Sequence, residues 1–159
     1  MFHQIFIIDQ KGWSIDTLGK SYIFLGFFSI IGLLIGGPLV DKFDTKKTAM
    51  TALTPLLLLL IILITSEGEF FLIIYMSLFG LTMGIGRPFI GSLWAEIYGV
   101  ESLGTVKALL HAGAVFASAL SPLVFGYVID WGFSITTIVT ISILIIIVST
   151  LVPIYNKLP

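Results

Sequence analysis

Two ionisable residues, Arg87 and His111, stand inside otherwise apolar stretches of the sequence. Arg87 lies nine residues before Glu96, and His111 lies eight residues after Leu103. At a helical rise of about 1.5 Å per residue, these spacings put them ~13 Å and ~12 Å from the polar ends of their stretches. The chemistry expected of the pair is ligand binding, with the guanidinium holding an anionic group and the imidazole exchanging a proton.

A structural interpretation stays open for both residues. The Arg87 side chain could extend to lipid headgroups or pair with a carboxylate, and His111 could be a hydrogen-bonded packing residue. His3 and Gln4 are second-rank candidates for the same binding site. Catalysis is not expected, because no apolar stretch carries a carboxylate pair and the sequence shows no phosphate loop, metal-ligand cluster or cysteine. We therefore predict no enzyme activity, cofactor or metal.

The candidate residues lie on long apolar elements. Hydrophobic residues make up 57% of the 159 residues and charged residues 11%, whereas a soluble domain has about 25% charged residues. Five stretches contain no Asp, Glu, Lys or Arg: residues 21–40, 48–66, 70–86, 108–129 and 133–155. Each meets or approaches the roughly 20 residues that a helix needs to cross a bilayer. Because lipid cannot satisfy backbone polar groups, we predict an all-α bundle of transmembrane helices.

Lysine placement predicts the orientation of these spans. One side carries five lysines, in residues 41–47, at Lys107 and at Lys157, and the other side carries Lys11 and Lys20. Cytoplasmic loops carry the positive excess, so residues 41–47, the loop 96–107 and the C-terminus should lie inside. We expect an integral protein of the plasma (inner) membrane, surrounded by lipid, with a small-molecule substrate and no nucleic-acid partner.

The N-terminal region differs from the five spans. Met1–Ile8 is apolar but crosses less than half of a bilayer before the polar turn at residues 9–12. We interpret residues 1–20 as a truncated helix end with an outer loop, and residues 21–159 as the five transmembrane helices. The alternative is a short interfacial segment that lies flat.

The first inner loop carries the most specific motif. Residues 37–47 read GPLVDKFDTKK and resemble the G-x-L-x-D-[RK]-x-G-x-[RK]-[RK] loop of the major facilitator superfamily, with Asp44 in place of the usual glycine. The resemblance implies a gating or structural role for Gly37, Asp41, Lys42, Lys46 and Lys47. The small Gly37 would let two helices approach closely, and Asp41 would interact at a neighbouring helix N-terminus.

Two later segments resemble the same superfamily. Residues 91–108 are similar to its junction between the tenth and eleventh helices, and residues 121–130 to the outer end of its eleventh helix. The five spans would then be helices eight to twelve, and Met1–Ile8 the end of helix seven. Because the two halves of the fold are internal repeats, assignment to the first half stays open.

Small residues four apart predict close helix packing. They form the series Gly32 and Gly36; Gly80 and Gly84; and Gly113, Ala117 and Ser121. Pro55, Pro88 and Pro122 lie within spans, where each permits a kink.

The resemblance implies a secondary active transporter that moves a small solute by alternating access. This chain would be the C-terminal half or a fragment, and its partner would be an N-terminal half in the same or a separate chain. Arg87 favours a small organic anion as the solute. The alternative is a small, non-transporting membrane protein that acts as a binding or scaffold partner.

Overall fold

The fold is built from five helices. The computed structural model describes the backbone of residues 4–43 and 45–155, and the side chains of residues 4–43 and 51–148. The helices are α1 (Gln4–Lys11), α2 (Ile15–Lys42), α3 (Thr45–Thr65), α4 (Phe70–Asp130) and α5 (Ile135–Tyr155). No strand occurs in the described backbone, which confirms the predicted all-α class.

Helix α4 consists of two arms that meet at Gly99. Gly99 has φ 76° and ψ 163°, a backbone conformation that is essentially restricted to glycine. We call residues 70–98 the first arm and residues 100–130 the second arm. The predicted loop over residues 96–107 is therefore wrong, because helix continues on both sides of a single non-helical residue.

The first arm packs closely against α2 through glycines. A methyl group at Gly32 would lie 2.6 Å from the carbonyl oxygen of Leu81, and one at Gly84 would overlap the backbone of Ser29. Methyl groups at Gly36 and Gly80 would likewise overlap atoms of the facing helix. Because only glycine leaves room for this approach, the two predicted glycine pairs are confirmed as a packing interface.

Two other expectations about small residues are not met. Gly37 has no atom of a neighbouring element within 4 Å of a Cβ built there, so the close approach expected of it occurs at Gly36 instead. A Cβ built at Gly113 likewise has no atom of a neighbouring element within 4 Å. Gly113, the first residue of its small-residue series, is therefore not at a close helix contact in the described part of the chain.

Hydrogen bonds join the end of α1 and the start of α2 to the connection between α3 and α4. The Lys11 ammonium donates to the carbonyl of Ser66, at 3.0 Å, and the Trp13 indole donates to the carbonyl of Glu67, at 2.9 Å. The Glu69 carboxylate accepts from the Ser14 amide, at 3.0 Å. The connection between α3 and α4 is thus fastened to the start of α2.

Helix α2 begins at Ile15, six residues before the apolar stretch predicted from residue 21. The Ser14 hydroxyl accepts a hydrogen bond from the amide of Thr17, at 3.0 Å, and so caps the helix. Asp16 in the first turn complements the positive end of the helix dipole.

The hydrophobic core excludes the second arm. Its buried residues come from α1, α2, α3, the first arm and α5, and include Ile8, Leu59, Leu72, Met76 and Val139. All buried residues of α4 lie between Leu72 and Ile85, and every residue from 108 to 120 is exposed. The core therefore forms one packed unit beside which the second arm stands largely uncovered.

Helices α2 and α4 are long and apolar enough to cross a membrane, and the described apolar parts of the other two long helices, residues 51–65 and 135–148, are shorter. Helices α3 and α5 have 21 residues each, which corresponds to about 31 Å of helix.

Candidate functional site

A cavity of about 500 Å³ lies between the two arms of α4. The first arm lines it with Arg87, Gly91 and Trp94, and the second arm with Lys107, His111 and Ala114. Arg87 and His111, the two residues predicted to act together, therefore border the same space.

The sequence explains why these side chains face each other. On each arm the lining residues are spaced by three or four positions, which places them on one face of a helix. Arg87 precedes Gly99 by 12 residues and His111 follows it by 12. Because the chain reverses at Gly99, residues at equal distances from it come to the same level.

Pro88 fixes the turn of helix that carries Arg87. A methyl group at Gly36 would lie 2.7 Å from the Pro88 ring and 3.1 Å from the Cα of Ile85. This close contact holds the backbone at residues 85–88 against α2. The guanidinium of Arg87 is exposed on the other side of the same turn.

Lys107 reaches across to the first arm. Its Nζ lies 3.7 Å from the position that a Cβ would occupy at Gly91. The indole of Trp94, which lines the same wall, is tilted against the ring of Tyr98 with 5.9 Å between centroids. The lysine ammonium thus lies at van der Waals distance from the wall that the first arm forms at Gly91.

The cavity is cationic and otherwise apolar. Arg87, Lys107 and His111 are its basic residues, and no carboxylate is among the described side chains that line it. Arg87 also borders a second cavity of about 370 Å³ beside α3, where Ala52 and Thr82 contribute to the wall. Across the described residues, no three His, Cys, Asp or Glu side chains come together as metal ligands do.

Gln4 does not line the cavity between the arms. It is buried, its amide oxygen accepts from the Tyr22 hydroxyl, and its amide nitrogen lies 3.8 Å from the sulfur of Met76. Gln4 thus connects α1 to both α2 and α4. His3 lies outside the described residues.

The loop motif lies at the end of α2. Asp41 and Lys42 are exposed in its last turn, and the Phe43 amide closes the helix by donating to the carbonyl of Leu39, at 3.0 Å. The Lys42 ammonium lies 5.9 Å from the centroid of the Phe43 ring. The side chains of Lys46 and Lys47, in the first turn of α3, lie outside the described residues.

Sequence reasoning missed Lys107 and Trp94 as lining residues. From the sequence, Lys107 counts only among the lysines of the inner side, and Trp94 is not singled out. The available signal was spacing, because Lys107 precedes His111 by four residues and Trp94 follows Arg87 by seven. Each pair falls on one helical face.

The architecture and the site define a class of protein: a polytopic helical membrane protein with a cationic cavity between antiparallel arms. The family model of the Major Facilitator Superfamily matches residues 1–157, and the chain belongs to this superfamily. It is therefore an integral membrane protein of the transporter kind, which sits in a lipid bilayer and handles small solutes. No curated protein and no solved structure matches the chain.

Proposed function

We propose that this chain is the C-terminal half of a secondary transporter that moves a small organic anion by alternating access. The observation that carries the proposal is the shared cavity of Arg87 and His111. An arginine in a membrane span is costly unless it faces water or a partner. The cavity supplies such a space at the level where both ionisable residues lie.

The two residues have different roles in this mechanism. Arg87 binds the anionic group of the solute, because a guanidinium offers two parallel N–H donors to a carboxylate. His111 faces the same space from the second arm, and its imidazole is the proposed proton-exchanging group. A proton, ion or solute gradient would drive the cycle.

The proposed partner is an N-terminal half, in the same or a separate chain, that covers the second arm. The exposed segment 108–120 includes the small residues Gly113 and Ala117, which suit helix packing better than contact with lipid. A central pathway needs a wall on that side. The second arm supplies the surface on which such a wall would pack.

The loop at residues 37–47 would act as the inner gate, on the cytoplasmic side of the plasma membrane. Asp41 and Lys42 are exposed at the end of α2, where a neighbouring bundle can reach them. The lysine excess on this side supports a cytoplasmic C-terminus.

The test is uptake by proteoliposomes that contain the chain together with the complementary N-terminal half. Labelled small organic anions are compared with labelled cations of similar size. Arg87→Gln should abolish anion uptake while the amount of reconstituted protein stays unchanged. Lys20→Gln is the matched control, because Lys20 is exposed and pairs with Asp16 on its own helix, and an exposed pair of this kind contributes little to stability. Wild-type uptake by Arg87→Gln would refute the proposal.

A further inference from the structure

The proposed anion site assigns no role to Lys107, although its ammonium has a defined position in the cavity. A lysine near a helix end commonly extends toward lipid headgroups. Here its Nζ lies against the opposite arm, 3.7 Å from a Cβ position at Gly91. The lysine therefore points across the cavity and adds a second fixed positive charge to the one on Arg87.

Two fixed cations in one largely apolar cavity repel each other. The described lining contains no carboxylate to offset them, and two like charges raise each other's energy at short distance. One monoanion compensates only one of the two charges. A ligand with two negative groups compensates both.

The spacing of the two cations suits a short ligand. Gly91, beneath the Lys107 ammonium, follows Arg87 by four residues, which is ~6 Å along the helix. Between the charges the wall is apolar and includes Ile90, and Trp94 lines the cavity about one turn beyond Gly91. A chain of a few methylene groups with an acidic group at each end fits this pattern.

We propose that Lys107 forms a second anion subsite beside Arg87, and that the cavity takes a small organic dianion. This inference rests on the proposed function and names its substrate class. Arg87 binds one acidic group, Lys107 binds the other, and Ile90 packs against the apolar chain between them.

The experiment is calorimetric titration of the full chain in nanodiscs of neutral phosphatidylcholine. The probes are succinate, which carries two carboxylates, butyrate, which carries one, and uncharged succinamide. A charge-assisted contact is expected to be worth about a tenfold change in affinity. The wild type should therefore bind succinate about tenfold more tightly than butyrate and should not bind succinamide.

Lys107→Gln should weaken succinate binding about tenfold and change butyrate binding by less than about twofold. Lys107→Arg should retain the preference for succinate, because it keeps the charge. Lys20→Gln, which removes an exposed lysine far along the sequence from the cavity, should behave as the wild type. Since Lys107 is exposed, its replacement disturbs no packed core.

An unchanged succinate preference in Lys107→Gln would overturn the dianion site while leaving the transporter proposal intact, provided that Arg87→Gln abolishes butyrate binding. Butyrate binding that survives in Arg87→Gln would instead refute the proposed function.

A further experiment repeats the titration in nanodiscs that contain phosphatidylglycerol, in order to test whether the site holds a lipid phosphate. If this lipid stabilises the wild type but not Lys107→Gln, and succinate does not bind, the occupant is a lipid phosphate and the dianion proposal is wrong.

Discussion

Arg87 owes its position to the residue that follows it. Pro88 packs into the space left by Gly36, with 2.7 Å between its ring and a methyl group built there. The guanidinium is thereby carried on a backbone segment fixed against α2. The sequence singled out Arg87 because a charge in an apolar stretch is unusual, and four-residue spacing marked Gly36 as a packing position. That Pro88 is the residue packed against Gly36 depends on how two helices cross, which no local pattern reveals.

Asp41 gives a prediction at the scale of one side chain. Asp41→Asn, in the chain assembled with its N-terminal half, should reduce the uptake rate about tenfold without reducing the amount of protein in the membrane. The reason is the proposed pairing of this carboxylate with a neighbouring helix end during gating. Asp9→Asn, an exposed carboxylate on the opposite side, is the control. Equal uptake by Asp41→Asn and the wild type would reduce the loop to a signal for topology.

At the scale of elements, the contact between α2 and the first arm offers a matched pair of glycines. Gly84→Ala places a methyl group against the backbone of Ser29 and Leu33, whereas Gly86→Ala meets nothing within 4 Å. Gly84→Ala should lower the free energy of unfolding by about 1–3 kcal/mol, because rigid backbone must move apart. Gly86→Ala should be neutral or stabilising by up to about 1 kcal/mol.

Thermal unfolding in detergent measures both variants under the same conditions. If the two substitutions shift the melting temperature equally, the close approach of α2 and the first arm is not what stabilises the packed unit.

The break at Gly99 gives a second prediction about elements. Gly99→Ala forces alanine into a conformation reserved for glycine, at a cost of about 1–3 kcal/mol. A Cβ there meets nothing within 4 Å, so the effect is confined to the backbone. The second arm should move away from the first, and anion binding between them should weaken. Gly104→Ala, a helical glycine with equally open surroundings, should not change the distance between arms.

Spin labels on the two arms measure that distance by electron paramagnetic resonance. An unaltered distance in Gly99→Ala would show that the arms are held together by contacts elsewhere.

The elements differ in how far the sequence revealed them. Apolar length predicted the helices, and four-residue spacing predicted the glycine interface, because both depend on local pattern. The sequence also suggested a polar loop near residues 96–107, where the structure has helix apart from Gly99. Glu96, Glu101 and Lys107 are charged yet helical, since charged side chains are good helix formers and polarity alone does not end a helix.

At the scale of the whole molecule, the chain consists of a packed unit and an exposed arm. The unit is held by the glycine interface, by the core and by the hydrogen bonds from Lys11 and Trp13 to the connection between α3 and α4. The second arm joins it through Gly99 and through the turn at Gly132, both of which have positive φ. The cavity wall formed by the first arm is thus fixed, whereas the wall formed by the second arm is connected to the packed unit through glycine turns at both of its ends.

The most direct test of the account is whether water reaches Arg87 and His111. The chain contains no cysteine, so Arg87→Cys and His111→Cys can be labelled singly with a small, water-soluble thiol reagent in membranes. Met76→Cys is the buried control, with 0% exposure, and Leu34→Cys is the lipid-facing control, with 70% exposure on α2. The account predicts labelling at positions 87 and 111 at least about tenfold faster than at either control, because only these two line a watery space. Labelling at 87 and 111 as slow as at 34 and 76 would contradict it.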